Sequence, residues 1–412
     1  MRFEEHDHDR DEFGDLAELG HTHSIRGGSR PSGALLAVLV PVLLLTIVGV
    51  IALWPNSERA ESRAALDFGA ELVDGTVERV ETGECLATAP GSDLECQVAA
   101  VRLEEGPDRG DIFELEIQES PTSVTLRGGD KIVLNRVSAP DVPPDLRYTF
   151  ADYQRSTPLV LLAVLFVVAV AALGRFQGIR SLVALAVSLF VLVRFVLPSI
   201  LDGNNAIAVA LVGAALIMLA TLYLTHGYNE KTTTAVLGTF ASLLLTGLLA
   251  LLFVGLTNIT GLADEDARIL TVAAERIDVR GILLGGIIIG ALGVLDDVTV
   301  TQVSAVWELR KANARMSARE LYASALRIGR DHIASTVNTL VLAYAGASLP
   351  LLILLVQSER ALGDVLTSET IASEIVQTLV GSIGLVASVP ITTALAAAIV
   401  SRPSWAEANA AG

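Results

Sequence analysis

Long apolar runs separated by short polar connections fill most of the chain, and one polar stretch, residues 55–157, interrupts the series. A bilayer core about 30 Å thick needs roughly 20 apolar residues at 1.5 Å rise per residue. Eight runs meet or approach that length: 34–53, 159–173, 182–197, 206–224, 235–256, 282–304, 335–356 and 371–400. The second is the shortest, and the last is long enough to tilt or to break. Short polar connections between the second, third, fourth and fifth runs make these antiparallel neighbours in a bundle. The pattern predicts a polytopic α-helical membrane protein of about eight transmembrane helices.

Residues 55–157 have a different texture. GTVERVE, CQVAAVRL, IFELEIQ and KIVLNRV alternate or cluster β-formers between Gly, Pro and Asp turns, which predicts strands. The expectation is an all-β domain of the OB or SH3-like barrel kind, inserted after the first helix. The only two cysteines, Cys85 and Cys96, both fall in it. A hairpin disulfide is expected in an oxidising compartment, and two free thiols are the alternative. The remaining pieces are an acidic, His-containing tail at 1–33, a transmembrane signal anchor at 34–54, a seven-helix bundle at 158–400 and a tail at 401–412.

Orientation follows from Lys and Arg in the short loops. Arg26, Arg30, Arg175, Arg180, Lys231, Arg310, Lys311, Arg315, Arg319, Arg327, Arg330 and Arg402 fall on one side, against Arg268, Arg276, Arg280 and Arg360 on the other. Both termini are therefore expected in the cytoplasm, with residues 55–157 outside. A polar tail precedes the first run and no small-residue cleavage signal follows it, which predicts a retained anchor and not a leader.

Composition agrees and excludes other classes. The chain is 52% hydrophobic and 18% charged, with a mean hydropathy of +0.56, well below the quarter or so of charged residues usual in soluble domains. A net charge of -17 and 5% aromatic residues leave neither a basic footprint nor stacking platforms for nucleic acid. No nucleotide-binding loop, HExxH, CxxC or GxSxG occurs in the sequence. No enzyme activity and no cofactor are expected, and the chain carries no ATP-driven engine. An intramembrane aspartyl protease would need carboxylates on separate facing helices, and only one span carries mid-span Asp residues.

The informative span is GILLGGIIIGALGVLDDVTVTQVSAVWELR. Steps of three and four collect Gly286, Gly290, Gly293, Asp297, Thr301, Ser304 and Glu308 on one stripe. The glycines have the spacing that lets helices pack backbone to backbone, and the polar line leads toward the cytoplasm. Asp296 lies beside the stripe, and both carboxylates fall in the inner half of the membrane. Each ionised Asp at a helix centre costs about 2.5 to 3.5 kcal/mol on insertion scales, so the pair points to a proton or cation site in a translocation path. The alternative is a span ending near Gly293, with DDVTVTQ as an interfacial turn.

Two further spans carry matching stripes. His332, Thr336, Thr339, Ala343, Gly346 and Pro350 share a face, with Asn338 and Tyr344 nearby; Glu374, Gln377, Gly381, Gly384, Ser388 and Thr392 share another. Three such faces predict an enclosed polar lumen, although each alone reads equally well as helix packing. Arg194, four residues before Pro198, is expected to snorkel to the outer interface or to pair with an acid such as Asp202. His6 with His8 and His21 with His23 form HxH pairs of a kind that can bind zinc or a similar ion.

The runs GALGVLDDVTVTQ and GRDHIASTVNTLVLAYAGASLPLL, together with DYQR, GRFQGIR, LPSILDGNN and HGYNEKTT, are similar to the YibE/F family of bacterial multi-pass membrane proteins, of the actinobacterial type. The resemblance covers roughly residues 75–399. It implies a bacterial cytoplasmic-membrane protein with an extracytoplasmic β domain, and it implies no particular activity or substrate.

The residues themselves predict a permease or ion-coupled transporter in which Asp296 and Asp297 bind a proton or cation, with Thr301, Gln302, Ser304, Asn338 and Gln377 along the pathway. In one version the stretch from Trp307 to Arg330 is a docking helix for an external ATPase subunit; a homo-oligomer is the other partner considered beside the lipid bilayer. The alternative function is a non-transporting envelope anchor or sensor whose β domain binds a partner.

Overall fold

The computed structural model describes residues 31–55, 70–85, 95–118, 120, 122–137, 147–263, 268–269, 278–357 and 361–402. The His-containing tail lies outside the described residues. The chain divides into two compact units, residues 56–182 and residues 1–55 with 183–412.

Among its described residues the first unit holds five antiparallel strands, β1 (Ala70–Glu84), β2 (Glu95–Leu103), β3 (Ile112–Gln118), β4 (Lys131–Val137) and β5 (Tyr148–Tyr153), in the order β3-β2-β1-β4-β5. β1 is long enough to serve two partners. Its first half pairs with β4 and its second with β2, with a bulge between Val77 and Arg79. Gly75 sits where the two pairings overlap, and a Cβ there would lie 2.7 Å from Val101 Cγ1. Alternation places Val73, Val77, Ala99, Val101, Leu103, Leu115, Ile132 and Leu134 on one buried face.

The sheet curls until its edges meet through side chains: Phe113 of β3 and Tyr148 of β5 stand edge to face at 5.1 Å. No hydrogen-bonded ladder joins β3 to β5 among the described residues, so the sheet is a half-barrel. Cys85, just past β1, and Cys96 of β2 form a disulfide with Cα atoms 5.1 Å apart.

The DYQR motif fastens β5 to the rest of the sheet. Tyr153 Oη donates to the Thr125 carbonyl at 2.8 Å, Gln154 Nε2 to Asp74 Oδ2 at 2.6 Å, and Arg155 pairs with Asp152 at 2.5 Å. That pairing, with the Tyr153 amide, holds the Asp152 carboxyl below its ordinary value. Helix α2 (Ser156–Val191) starts at once.

Within α2 the backbone breaks at Arg175, φ 50° and ψ -133°. A Cβ at Gly178 would press on the carbonyl oxygen of Val170, eight residues earlier. A straight helix would hold that pair about 12 Å apart. The chain therefore doubles back at Arg175, inside the GRFQGIR connection expected between the second and third spans.

The second unit is helical: α1 (Gly33–Ala52), a π-helical segment (Leu192–Val196), α3 (Leu197–Leu201), α4 (Ala206–His226), α5 (Glu230–Leu256), α6 (Val279–Ala312), α7 (Ala318–Ala347), α8 (Leu349–Gln357), α9 (Leu362–Leu366) and α10 (Glu369–Val400). Its turns carry the polar motifs. In LPSILDGNN, Ser199 Oγ and Asn204 Nδ2 donate to the Leu53 carbonyl at the end of α1, at 2.6 and 3.4 Å. Asn205 then caps α4, accepting from the Ala208 amide at 3.0 Å. In HGYNEKTT, Gly227 (φ 78°) ends α4, and Asn229 accepts from the Thr232 amide at 2.8 Å to start α5.

The expected seventh span is not one helix. α7 and α8 meet at a 67° bend, and Pro350, which lacks an N–H, sits at the start of α8. The expected sixth span is longer than the pattern suggested, since α6 runs 34 residues. The last span stays continuous through Pro390. Among the described residues six helical stretches are long and apolar enough to cross a membrane, or seven if the bent pair counts as one, with Ser156–Leu201 taken as a single stretch.

Candidate functional site

α6 is the helix on which the candidate site is built, and it has two faces. Toward α4, α5, α7 and α10 it buries Leu284, Ile288, Leu292, Leu295 and Val298, with Thr299 and Gln302 among them. Gly286, Gly290, Gly293, Asp297 and Thr301 are exposed on the opposite face. A Cβ added at Gly286 or Gly293 would meet nothing within 4 Å, and one at Gly290 would meet only Tyr344 Oη, at 3.4 Å. Apart from that Tyr344 hydroxyl of α7, the glycine stripe meets no neighbour among the described residues.

The two neighbouring carboxylates part company, because adjacent helical positions lie about 100° apart. Asp296 turns toward α4. Thr221 Oγ1 donates to its Oδ2 at 3.2 Å, while its Oδ1 is buried with no hydrogen-bond partner among the described residues. Leu292 and Val300, one turn either side of Asp296, belong with Ile217 and Met218, one turn before Thr221, to a single apolar cluster. Asp297 is exposed; its carbonyl accepts from Thr301 Oγ1 at 2.8 Å.

Behind Asp296 lies a buried polar seam. Thr299 Oγ1 bonds Thr239 Oγ1 of α5 at 2.6 Å. Gln302 Nε2 donates to the Ala325 carbonyl of α7 at 2.9 Å and to Thr393 Oγ1 of α10 at 2.7 Å, so one side chain ties three helices. Gly238 faces Thr392, and Gly384 faces Thr246, closely enough that a Cβ on either glycine would collide.

Of the residues singled out in the sequence, the structure brings Asp296 and Gln302 to the inner face of α6. Ser304 is half-buried and its hydroxyl donates to its own helix, at the Val300 carbonyl, 2.7 Å away. Gln377 is half-buried; Asp297, Thr301 and Asn338 are exposed. The three stripes do not enclose one lumen. That of α6 points outward, that of α7 exposes Thr339, Ala343, Gly346 and Pro350, and that of α10 buries Gly384, Ser388 and Thr392 in the seam with α5. The physical reason is that the large apolar side chains of α6, not its glycines, fill the bundle core. Arg194 is exposed on the π-helical segment.

The Trp307 to Arg330 stretch is likewise not one docking helix. Ser317 and Glu320 form a reciprocal capping box that starts α7 there, and Trp307 is buried at the end of α6. The pattern reading missed Thr221, Thr239, Thr246, Thr299 and Thr393. Hydroxyls in apolar runs carry no periodic signal distinct from packing, and the sequence shows only the Thr run of HGYNEKTT and the TVTQ after the Asp pair.

Long apolar helices around a half-buried Asp with one buried carboxylate oxygen, with a β half-barrel in the same chain, define a polytopic α-helical membrane protein. The family model for YibE/F-like proteins matches residues 162–402, more than half of the chain. The chain belongs to that family. Comparison with curated proteins and with solved structures returned no match.

Proposed function

We propose that the protein is an ion-coupled permease of the bacterial cytoplasmic membrane. The observation that carries this reading is the Asp296 carboxylate, set inside the helix bundle with one oxygen buried and unpartnered. An anchor has no use for such a group, which is costly to insert and leaves its charge without a counter-ion.

In this reading the membrane is crossed eight times. The reversal at Arg175 divides the Ser156–Leu201 stretch into arms about 28 and 39 Å long, each enough for one crossing. With the bent pair as one span the count is even, so both termini share the cytoplasmic side that the Lys and Arg distribution favours. The β unit then lies outside, where an oxidising environment suits the Cys85–Cys96 disulfide, and its strand order is that of an OB-type barrel left open between β3 and β5. Asp296 and Gln302 serve the pathway from inside the bundle. Asp297, Thr301 and Asn338 contribute where a second copy of the chain covers the outer face of α6, whose open glycines fit such an approach.

The test is charge movement across proteoliposomes containing the full chain, driven by imposed proton or monovalent-cation gradients against a panel of small solutes. The expected result is gradient-dependent flux that is lost in Asp296→Asn. Undiminished flux in that variant, or none from any gradient, overturns the reading in favour of an envelope anchor or sensor.

A further inference from the structure

Asp296 is poor in ligands. Its carboxylate has one hydroxyl neighbour, Thr221 Oγ1 at 3.2 Å, and apolar side chains one turn away on both helices. Calcium takes six to eight oxygen ligands and magnesium a near-octahedral shell. Among the described residues no group of three or more His, Cys, Asp or Glu comes together anywhere. Among the described residues no lysine, arginine or histidine pairs with Asp296 either. Ionisable residues on the helices packed around it include Tyr223 and His226 on α4, Glu230 and Lys231 on α5, Asp297 and Glu308 on α6, Arg327, Arg330, Asp331, His332 and Tyr344 on α7 and Glu374 on α10, and among the described residues none bonds its carboxylate. The sides of α7 and α10 that meet α6 are apolar near this level, with Ile333, Val337, Leu385 and Val389.

An ionised carboxylate in such a place needs its charge neutralised. A metal cation would arrive with an incomplete shell. A proton needs none, since it adds to one carboxylate oxygen and leaves a neutral carboxyl, with no other bond made or broken.

The end of α4 lies close to the site. Thr225 Oγ1 donates to the Thr221 carbonyl at 2.6 Å, and α4 ends one residue later at His226. Thr221 is therefore about 7–8 Å from the end of its helix, on the side where α5 begins with Glu230 and Lys231. Asp297, about 100° around α6 from Asp296, lies on the exposed face of the helix.

We infer that the ion bound at this site is a proton, carried by Asp296 alone and exchanged from the His226 end of α4. The inference rests on the permease reading for its purpose, while its test requires no flux. The full chain in lipid nanodiscs is taken from alkaline to acidic buffer and followed by infrared difference spectroscopy in the protonated-carboxyl region.

The expected result is a carboxyl band lost in Asp296→Asn, retained in Asp297→Asn, and shifted in frequency in Thr221→Val, which removes its hydrogen bond. Asp296→Glu should restore a band, which guards against an Asn variant that misfolds. Competition by sodium, lithium or potassium would move the titration midpoint by about one pH unit per tenfold rise in that cation; the midpoint should stay fixed. A band that survives Asp296→Asn, vanishes in Asp297→Asn, or follows the metal cation overturns the proposal. Flux without the band would leave a permease coupled to another ion, whereas the band without flux would leave a proton site in a protein that does not transport.

Discussion

Replacing Gly384 by Ala tests whether α5 and α10 meet as closely as described. The new Cβ would lie 3.1 Å from Thr246 Cβ and 3.3 Å from its Cγ2, and nearer still to its hydroxyl. Carbon atoms pack comfortably at about 3.5–4 Å, so the helices must part by about half an ångström, or Thr246 must change rotamer. The second escape is costly because Thr246 Oγ1 is committed to the Ser242 carbonyl at 2.8 Å. Overpacking a tight interior costs about 1–3 kcal/mol, and Ala in a helix returns about 1 kcal/mol relative to Gly. The net expectation is a loss of up to about 2 kcal/mol.

Gly286→Ala is the control. It gains the same helix propensity but meets nothing within 4 Å, so it should be neutral or slightly stabilising. Thr246→Ala should recover about 1 kcal/mol in the Gly384→Ala background by removing the hydroxyl and methyl that collide. Unfolding measured by steric trapping in bicelles reads the wild type and these three variants on one scale. Equal stability of Gly384→Ala and Gly286→Ala, or a further loss on adding Thr246→Ala, would refute the close approach.

Gln302→Leu removes two hydrogen bonds across three helices and should destabilise the bundle by about 1 kcal/mol, at roughly 0.6 kcal/mol per bond in a membrane, by the same unfolding assay. Replacing Cys85 and Cys96 together by Ser opens an 11-residue separation and should cost about 3 kcal/mol, seen as faster proteolysis within the β unit while α4–α6 stay protected. Tyr148 is buried and donates to Asp108 Oδ2 at 2.6 Å, so burial first and that bond second raise its phenol above the ordinary 10.0. A raised folded value means its contribution is full below about pH 10 and lost above. The stability gap between wild type and Tyr148→Phe should therefore be constant up to that pH and shrink beyond it; a gap that grows would contradict the assignment. Gly293→Leu should leave the unfolding of a single copy unchanged yet abolish dimers in native mass spectrometry, and dimers that persist would remove the second copy from the outer face of α6.

The amphipathic logic of the sequence located most elements. Strand alternation in CQVAAVRL and KIVLNRV follows the observed inward positions, and the first run matches α1 to within a residue. What periodicity could not decide was which face of α6 looks inward. Glycines and polar residues at one spacing and bulky aliphatics at another both make valid stripes, and the choice depends on which neighbours compete for the core. The bend at Ser348 escaped because a proline in a helix's first turn is locally as acceptable as one that ends it. The candidate site was half legible: an Asp pair in an apolar run is conspicuous, but a 100° difference between neighbours decides which one matters, and Thr221, 75 residues earlier in sequence, comes beside Asp296 only in the folded chain.

Only Gln154 and Arg155 stand between strand β5 and helix α2, and the DYQR clamp holds the first of them to Asp74 and the second to Asp152. The junction therefore has no slack. A pull on the curled sheet, whatever applies it, is delivered as a lever arm to the opening turn of the helix and not dissipated in a tether. A flexible Gly-Ser insert after Arg155 would cut that mechanical line while leaving both ends folded.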